Sequence, residues 1–157
     1  MPHRRYHPTR VPPTTMDHWL AHPYELSLAV VGLTASLLIL AGGIVASITV
    51  SPSVDAFHGL VAWGIGLLGV PGHALIIAGL LDNDEDLMNG WRRERTGLVL
   101  ATFAWAIYTL AILAANPGSV VTWGFGLALI TAHCLRLRAT QREERETRAA
   151  VARHEEH

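Results

Sequence analysis

Four long apolar segments without charged residues constrain the fold of this chain more than any other feature. They cover residues 26–50, 57–81, 96–115 and 117–135, and none contains Asp, Glu, Lys or Arg. A helix rises about 1.5 Å per residue, so about 20 apolar residues cross the roughly 30 Å hydrocarbon core of a bilayer. The sequence therefore predicts an all-α fold, an integral membrane bundle of four transmembrane helices.

The third and fourth segments form one continuous uncharged run that is broken only by turn residues. As a single helix this run would measure roughly 60 Å, about twice the thickness of the bilayer core. Asn116, Pro117 and Gly118 lie at its midpoint, and this combination favours a turn. We therefore expect two spans joined by a tight hairpin at 116–119.

The arginines indicate the orientation of the spans. All twelve basic residues are arginines, and they occur only before the first span, between the second and third, and after the fourth. The connections 51–56 and 116–119 contain none. Loops that stay in the cytoplasm carry an excess of Arg and Lys, so the pattern predicts that both termini are cytoplasmic. The twelve are Arg4, Arg5, Arg10, Arg92, Arg93, Arg95, Arg136, Arg138, Arg142, Arg145, Arg148 and Arg153.

The parts of the chain outside the spans are too short and too polar for a folded soluble domain. Residues 1–25 carry five prolines and predict an irregular cytoplasmic tail, whereas 136–157 predict a charged cytoplasmic helix. The whole chain is 50% hydrophobic and only 16% charged, which favours a membrane protein over a soluble domain. The lipid bilayer is thus the expected partner, and no uniformly basic surface for nucleic acid is present.

Small residues share one face of the first span and one face of the third. Such faces let helix backbones approach closely in lipid, either within one molecule or between copies of it. The sequence leaves both alternatives open. The residues are Gly32, Ser36, Gly43 and Ser47 in the first span, and Gly97, Ala101, Ala104, Ala111 and Ala115 in the third.

The second span contains a glycine pattern that also occurs in dinucleotide-binding proteins. Gly64, Gly66 and Gly69 match its spacing, but the pattern binds a pyrophosphate only where a strand turns into a helix. Here it lies inside an apolar span. We expect close helix packing, or a weakened helix before Pro71.

His73 and Tyr108 are the candidate polar residues within the spans. Ionisable groups in a membrane interior are candidates for function because they are costly there without partners. We expect a neutral His73 hydrogen-bonded to Tyr108, Thr102 or the carbonyl that Pro71 leaves without its helical donor; a proton or ion site is the alternative. His133 is expected about 9 Å nearer the cytoplasmic edge, too far away to share a metal with His73.

The sequence contains no pattern of residues that would carry catalysis. No Ser, Cys or Thr has a recognisable base partner, and no metal-binding or nucleotide-binding motif stands in a suitable context. We therefore expect a protein that is not an enzyme and has no catalytic residues, metal or cofactor.

Several short features resemble one family. They are the segment 51–56, the glycine-rich second span, the acidic loop after it, the segment 94–97 and Tyr108. Across residues 18–138 the chain resembles the small four-span membrane proteins encoded by phages of actinobacteria, some of which are described as holins. The resemblance implies a multi-pass protein of the bacterial host's cytoplasmic membrane, with self-association and holin-like permeabilisation during lysis. The alternative is a non-catalytic anchor or accessory protein that binds a cytoplasmic partner through its charged C-terminal tail.

Overall fold

Four α-helices account for almost all of the chain that can be described. The computed structural model describes residues 22–44, 59–82 and 87–155. Its helices are α1 (Pro23–Ile44), α2 (Leu60–Leu81), α3 (Leu87–Ala115) and α4 (Val120–Glu155). Each is long and apolar enough to cross a membrane. The all-α fold with four apolar helices of spanning length is thus confirmed.

The turn between α3 and α4 lies where the sequence predicts it. The backbone nitrogen of Ser119 donates to the carbonyl of Asn116 across 3.1 Å, and α4 begins at Val120. At the start of α2, Gly59 adopts a left-handed conformation with φ 77°, which glycine tolerates without steric cost. The connection 51–56 lies outside the described residues, as does most of the N-terminal tail.

Two helices extend further into the charged segments than the apolar segments do. α3 begins at Leu87, although its apolar segment starts only at residue 96, and α4 continues through Arg136 to Glu155 without a break. Arginine and glutamate are good helix formers, so charge alone does not end a helix. At the end of the bundle that carries the arginines, both helices therefore extend beyond their uncharged segments.

α1 packs on α2 through glycines of the α2 pattern. A Cβ atom added to Gly66 would lie 2.6 Å from the Cβ of Leu40, and one added to Gly69 would meet the hydroxyl of Ser36. The Ser36 hydroxyl donates to the carbonyl of Gly32 across 2.8 Å, so this buried polar group is satisfied. The glycine pattern thus serves close helix packing, one of the two roles predicted for it.

α2 and α3 form the closest helix pair and lie at the centre of the bundle. A Cβ atom at Gly72 would lie 2.8 Å from the backbone nitrogen of Ala101. One at Gly97 would lie 2.7 Å from the backbone nitrogen of Ile76. Backbone contacts this close need a residue with no side chain or a small one at the point of approach, which Gly72 and Gly97 provide. On the other face of α3, α4 completes the bundle.

Most residues of the two small-residue faces pack within the chain. On α1, Gly32 and Ser36 are buried, and a Cβ atom at Gly43 would lie 2.9 Å from the Cβ of Ala62. On α3, Gly97, Ala101, Ala104 and Ala111 are buried and Ala115 is exposed. Ser47 lies outside the described residues.

The outer surface of the bundle is apolar. Large side chains such as Leu38, Leu67, Phe103 and Leu110 are more than half exposed. A water-soluble monomer rarely exposes a continuous apolar surface of this kind, because water makes it prone to aggregation.

Candidate functional site

His73 lies at the centre of the bundle, where all four helices meet. Its side chain on α2 is fully buried, and its ring packs edge-on against Trp105 of α3 and His133 of α4, with ring centroids 6.2 and 5.8 Å apart. On α1, Gly32 faces the same ring, and a Cβ atom there would collide with it. The imidazole therefore fills the space that the absent side chain of Gly32 leaves.

Both ring nitrogens of His73 are engaged in hydrogen bonds. Nδ1 donates to the carbonyl of Gly69 across 2.7 Å, and Nε2 accepts from the indole nitrogen of Trp105 across 3.3 Å. Because one nitrogen donates and the other accepts, this network assigns the neutral imidazole protonated on Nδ1. No ring nitrogen is left to ligate a metal. The geometry favours a structural role for His73.

The partners of His73 differ from those that the sequence predicts. Thr102 instead donates to the carbonyl of Leu98, and the ring of Tyr108 packs edge-on against Trp105. Trp105 reaches His73 because it lies on α3 one helical turn from Ala101, on the side that faces α2. The carbonyl that His73 binds is that of Gly69, whereas Pro71 leaves that of Leu67 without its helical donor, so all three predicted partners were wrong. Tyr108 is half-buried and contacts Trp105, which in turn contacts His73.

The prediction that His73 and His133 lie at different levels is also wrong. Each histidine lies thirteen residues after the first residue of its helix, Leu60 in α2 and Val120 in α4. The two helices run in the same direction, so the rings meet. The prediction placed each histidine relative to the cytoplasmic end of its apolar segment, but the first charged residue of α4, Arg136, turns inward. Nδ1 of His133 donates to the carbonyl of Leu129 across 2.6 Å.

A second polar cluster, which the sequence analysis missed, closes the arginine-bearing end of the bundle. Glu94 of α3 is 2% exposed, and its Oε1 atom accepts a hydrogen bond from Nε of Arg136 across 2.7 Å. The same guanidinium lies 3.7 Å from Oε1 of Glu25 and 4.0 Å from Oε1 of Glu143. Glu25 belongs to α1. This cluster therefore links α1, α3 and α4 through charge.

Close packing of α2 and a hydroxyl group of α4 surround the buried Glu94 side chain. A Cβ atom at Gly79 of α2 would lie 2.7 Å from the backbone nitrogen of Glu94, so the two helices touch at this level. The hydroxyl of Thr140, itself fully buried, lies 3.4 Å from the same Oε1 atom. Within the described residues, no buried polar side-chain atom lacks a hydrogen-bond partner.

One signal in the sequence could have revealed Glu94. Glu94, Gly97, Ala101 and Ala104 follow steps of three and four residues, so Glu94 continues the small-residue face of α3 by one turn. A residue on this face must point towards α2, whatever its charge. The partner Arg136 gives no comparable signal, because it is one of six arginines after the fourth span.

A third set of charged contacts fixes the C-terminal part of α4 against α3. Oε2 of Glu144 accepts from Arg95 across 2.8 Å, and its Oε1 atom accepts from Arg148 across 2.7 Å. The Glu144 side chain is 13% exposed, whereas the i,i+4 pair of Arg142 and Glu146 is open to solvent. Both i,i+4 pairs of this helix, Arg142 with Glu146 and Glu144 with Arg148, are ion pairs. The contact between Arg95 and Glu144 adds a tertiary link that sequence spacing could not show.

The polar side chains of these clusters hold the helices together. Among the described residues, no group of three or more His, Cys, Asp or Glu side chains could hold a metal ion. Each buried carboxylate or imidazole of the clusters is bound to a partner from another helix or to its own backbone. Comparison of the chain with models of protein families, with curated proteins and with solved structures finds no match.

Proposed function

We propose that this chain is a multi-pass protein of a bacterial cytoplasmic membrane, with both termini in the cytoplasm. The apolar outer surface of the bundle supports insertion into lipid, because its large exposed side chains need an apolar surrounding. The arginines support the orientation, since they gather at one end of the described bundle and the turn at 116–119 has none.

Within that membrane, the protein acts as a non-catalytic anchor that presents the charged part of α4 to a cytoplasmic partner. The observation that carries this proposal is the bracing of α4 beyond its apolar segment. Glu94 holds Arg136, and Arg95 holds Glu144, so the helix leaves the bundle in a fixed direction. From Arg136 to Glu155 it extends about 28 Å.

The free face of this helix indicates the chemistry of the partner. Arg138, Arg142 and Arg145 follow steps of four and three residues, and all three are exposed. Arg138 and Arg145 make no ion pair within the part of the chain that the structure describes. An acidic protein surface is the partner that such a stripe of guanidinium groups fits best.

A second candidate function is holin-like permeabilisation of the host membrane. The resemblance to phage-encoded four-span proteins suggests it, and the polar interior of the bundle is the specific observation that favours it. Ser36, His73, Thr109 and His133 are all buried. If copies of the chain assembled and their helices rearranged, these groups could face water inside a lesion.

One expression experiment separates the two functions. The full chain is induced in a bacterial host while membrane potential and release of a co-expressed endolysin are followed. An anchor leaves the potential intact at high membrane levels of the protein, whereas a holin-like protein collapses it after a delay and releases the endolysin.

The anchor proposal is then tested on the arginine stripe. Proteins cross-linked to the full chain in the membrane are compared with those cross-linked to a variant carrying Arg138→Glu and Arg145→Glu. Loss of an acidic partner from the variant is expected. An unchanged set of cross-linked proteins, with the variant correctly inserted, would contradict the proposal.

A further inference from the structure

A cavity of about 630 Å³ lies between α3 and α4 at the arginine-bearing end of the bundle. Three guanidinium groups line it, from Arg92, Arg95 and Arg148, against one carboxylate, that of Glu144. Its size is in the range of sites that hold small molecules. The excess of positive charge indicates an anionic ligand.

Two of the three arginines are held in place before any ligand arrives. The Glu144 carboxylate binds one nitrogen of Arg95 through Oε2 and one nitrogen of Arg148 through Oε1. The side chains of these arginines remain 42% and 63% exposed, so each guanidinium keeps donors open to the cavity. Glu144 is thus a positioning residue for the two arginines.

Arg92 differs from Arg95 and Arg148 in its contacts. Its guanidinium makes no hydrogen bond or ion pair among the residues that the structure describes, and it is exposed at the cavity. Arg92 and Arg95 lie one helical turn apart on α3, so both reach the same cavity.

The cavity is lined by apolar side chains where it reaches the uncharged segment of α3. Val99 and Leu100 of α3 line it about two turns after Arg92, and Leu137 of α4 lies opposite. Val99 is 40% exposed, and Phe103, one turn further along the same face, is 59% exposed. The cavity therefore changes from cationic to apolar over about 10 Å along α3 and opens onto the apolar outer surface.

We infer that this cavity binds one anionic phospholipid of the cytoplasmic leaflet. Its phosphodiester group lies among Arg92, Arg95 and Arg148, and an acyl chain follows Val99 and Phe103. Basic pockets between transmembrane helices on the cytoplasmic side suit such headgroups, and the apolar continuation distinguishes a lipid from free phosphate. The inference rests on the proposed membrane location and orientation.

The test measures lipid binding to the purified full chain in a mild detergent by native mass spectrometry. The probes are dioleoyl phosphatidylglycerol, dioleoyl phosphatidylcholine and inorganic phosphate. Phosphatidylglycerol should bind with a stoichiometry of one, while phosphatidylcholine and inorganic phosphate at the same concentration should neither bind nor compete. Equal binding of phosphatidylcholine would show that the arginines do not select an anionic headgroup, and would overturn the inference. Competition by inorganic phosphate would show a free-anion site instead of a lipid site.

Two variants locate the binding. Arg92→Gln removes a charge that has no partner among the described residues, so the bundle should stay folded while affinity for phosphatidylglycerol falls about fivefold. Arg145→Gln is the matched control, because Arg145 is exposed next to Glu144 and lies outside the cavity. It should change the affinity less than twofold. Equal effects of the two variants would overturn the site.

Carbonate extraction of membranes from the same cells separates this inference from the proposed function. A chain that stays in the extracted membranes but does not bind phosphatidylglycerol contradicts the lipid site alone. A chain released by carbonate contradicts the membrane location and the lipid site together.

Discussion

Nε of Arg136 donates a hydrogen bond to Oε1 of Glu94 across 2.7 Å, and this contact links the two helices that carry most of the charge. The Glu94 side chain is 3% exposed and that of Arg136 is 17% exposed. Removing one partner of such a buried pair leaves an uncompensated charge, whereas removing both does not. The pair is therefore expected to control the stability of the arginine-bearing end of the bundle.

The first prediction concerns this pair. Arg136→Met should lower the free energy of unfolding by about 3–5 kcal/mol, because the Glu94 carboxylate stays buried without its partner. The double variant Glu94→Leu with Arg136→Leu should recover most of that loss. Unfolding in detergent, followed by circular dichroism, measures both.

The control for the first prediction is Arg142→Met. Arg142 also makes a 2.7 Å ion pair, with Glu146, but both side chains are largely exposed. Exposed pairs contribute little, so the loss should stay below about 1 kcal/mol. Equal losses for Arg136→Met and Arg142→Met would show that Glu94 is not buried as described.

The second prediction tests the packing of His73 against α1. Gly32→Ala should destabilise the bundle by about 1–3 kcal/mol, because the new methyl group would collide with the imidazole ring. Gly124→Ala is the matched control. A Cβ atom there has no neighbour within 4 Å, so the change should be neutral or stabilise the helix by up to about 1 kcal/mol. A smaller loss for Gly32→Ala than for Gly124→Ala would disprove the contact.

The third prediction concerns the small-residue face of α3. Ala104→Leu should lower the unfolding midpoint by the same amount at every protein concentration, since Ala104 packs on Gly69 of its own chain. Ala115→Leu, at an exposed position of the same face, should have little effect. Light scattering and thermal unfolding over a range of concentrations measure this. A loss of oligomer without a loss of monomer stability would instead place Ala104 between copies.

The sequence predicted those features that depend on one segment at a time. The length of an uncharged segment predicts a helix long and apolar enough to span a membrane, Asn116 and Pro117 predict a turn, and glycine spacing predicts close packing. Each of these was confirmed for the described residues. None of them requires knowledge of which helix lies next to which.

The contacts that the sequence did not predict depend on neighbouring helices. Glu94 was assigned to a connection because hydropathy falls at charged residues, although α3 already begins at Leu87. His133 was placed near the edge because Arg136 was taken to face water. Both errors have one cause, because Glu94 of α3 and Arg136 of α4 are each other's partner, and sequence spacing does not identify a partner on another helix.

The four-span topology is tested most directly by the side of the membrane on which the α3–α4 turn and the charged part of α4 lie. Cys134, the only cysteine, is first replaced by Ser, and single cysteines are then introduced by Gly118→Cys and Ala139→Cys, both at exposed positions. A membrane-impermeant maleimide is added to intact spheroplasts. With both termini in the cytoplasm, position 118 should be labelled without permeabilisation and position 139 only after it. Labelling at position 139 in intact spheroplasts, or protection at position 118, would contradict the four-span topology with both termini in the cytoplasm.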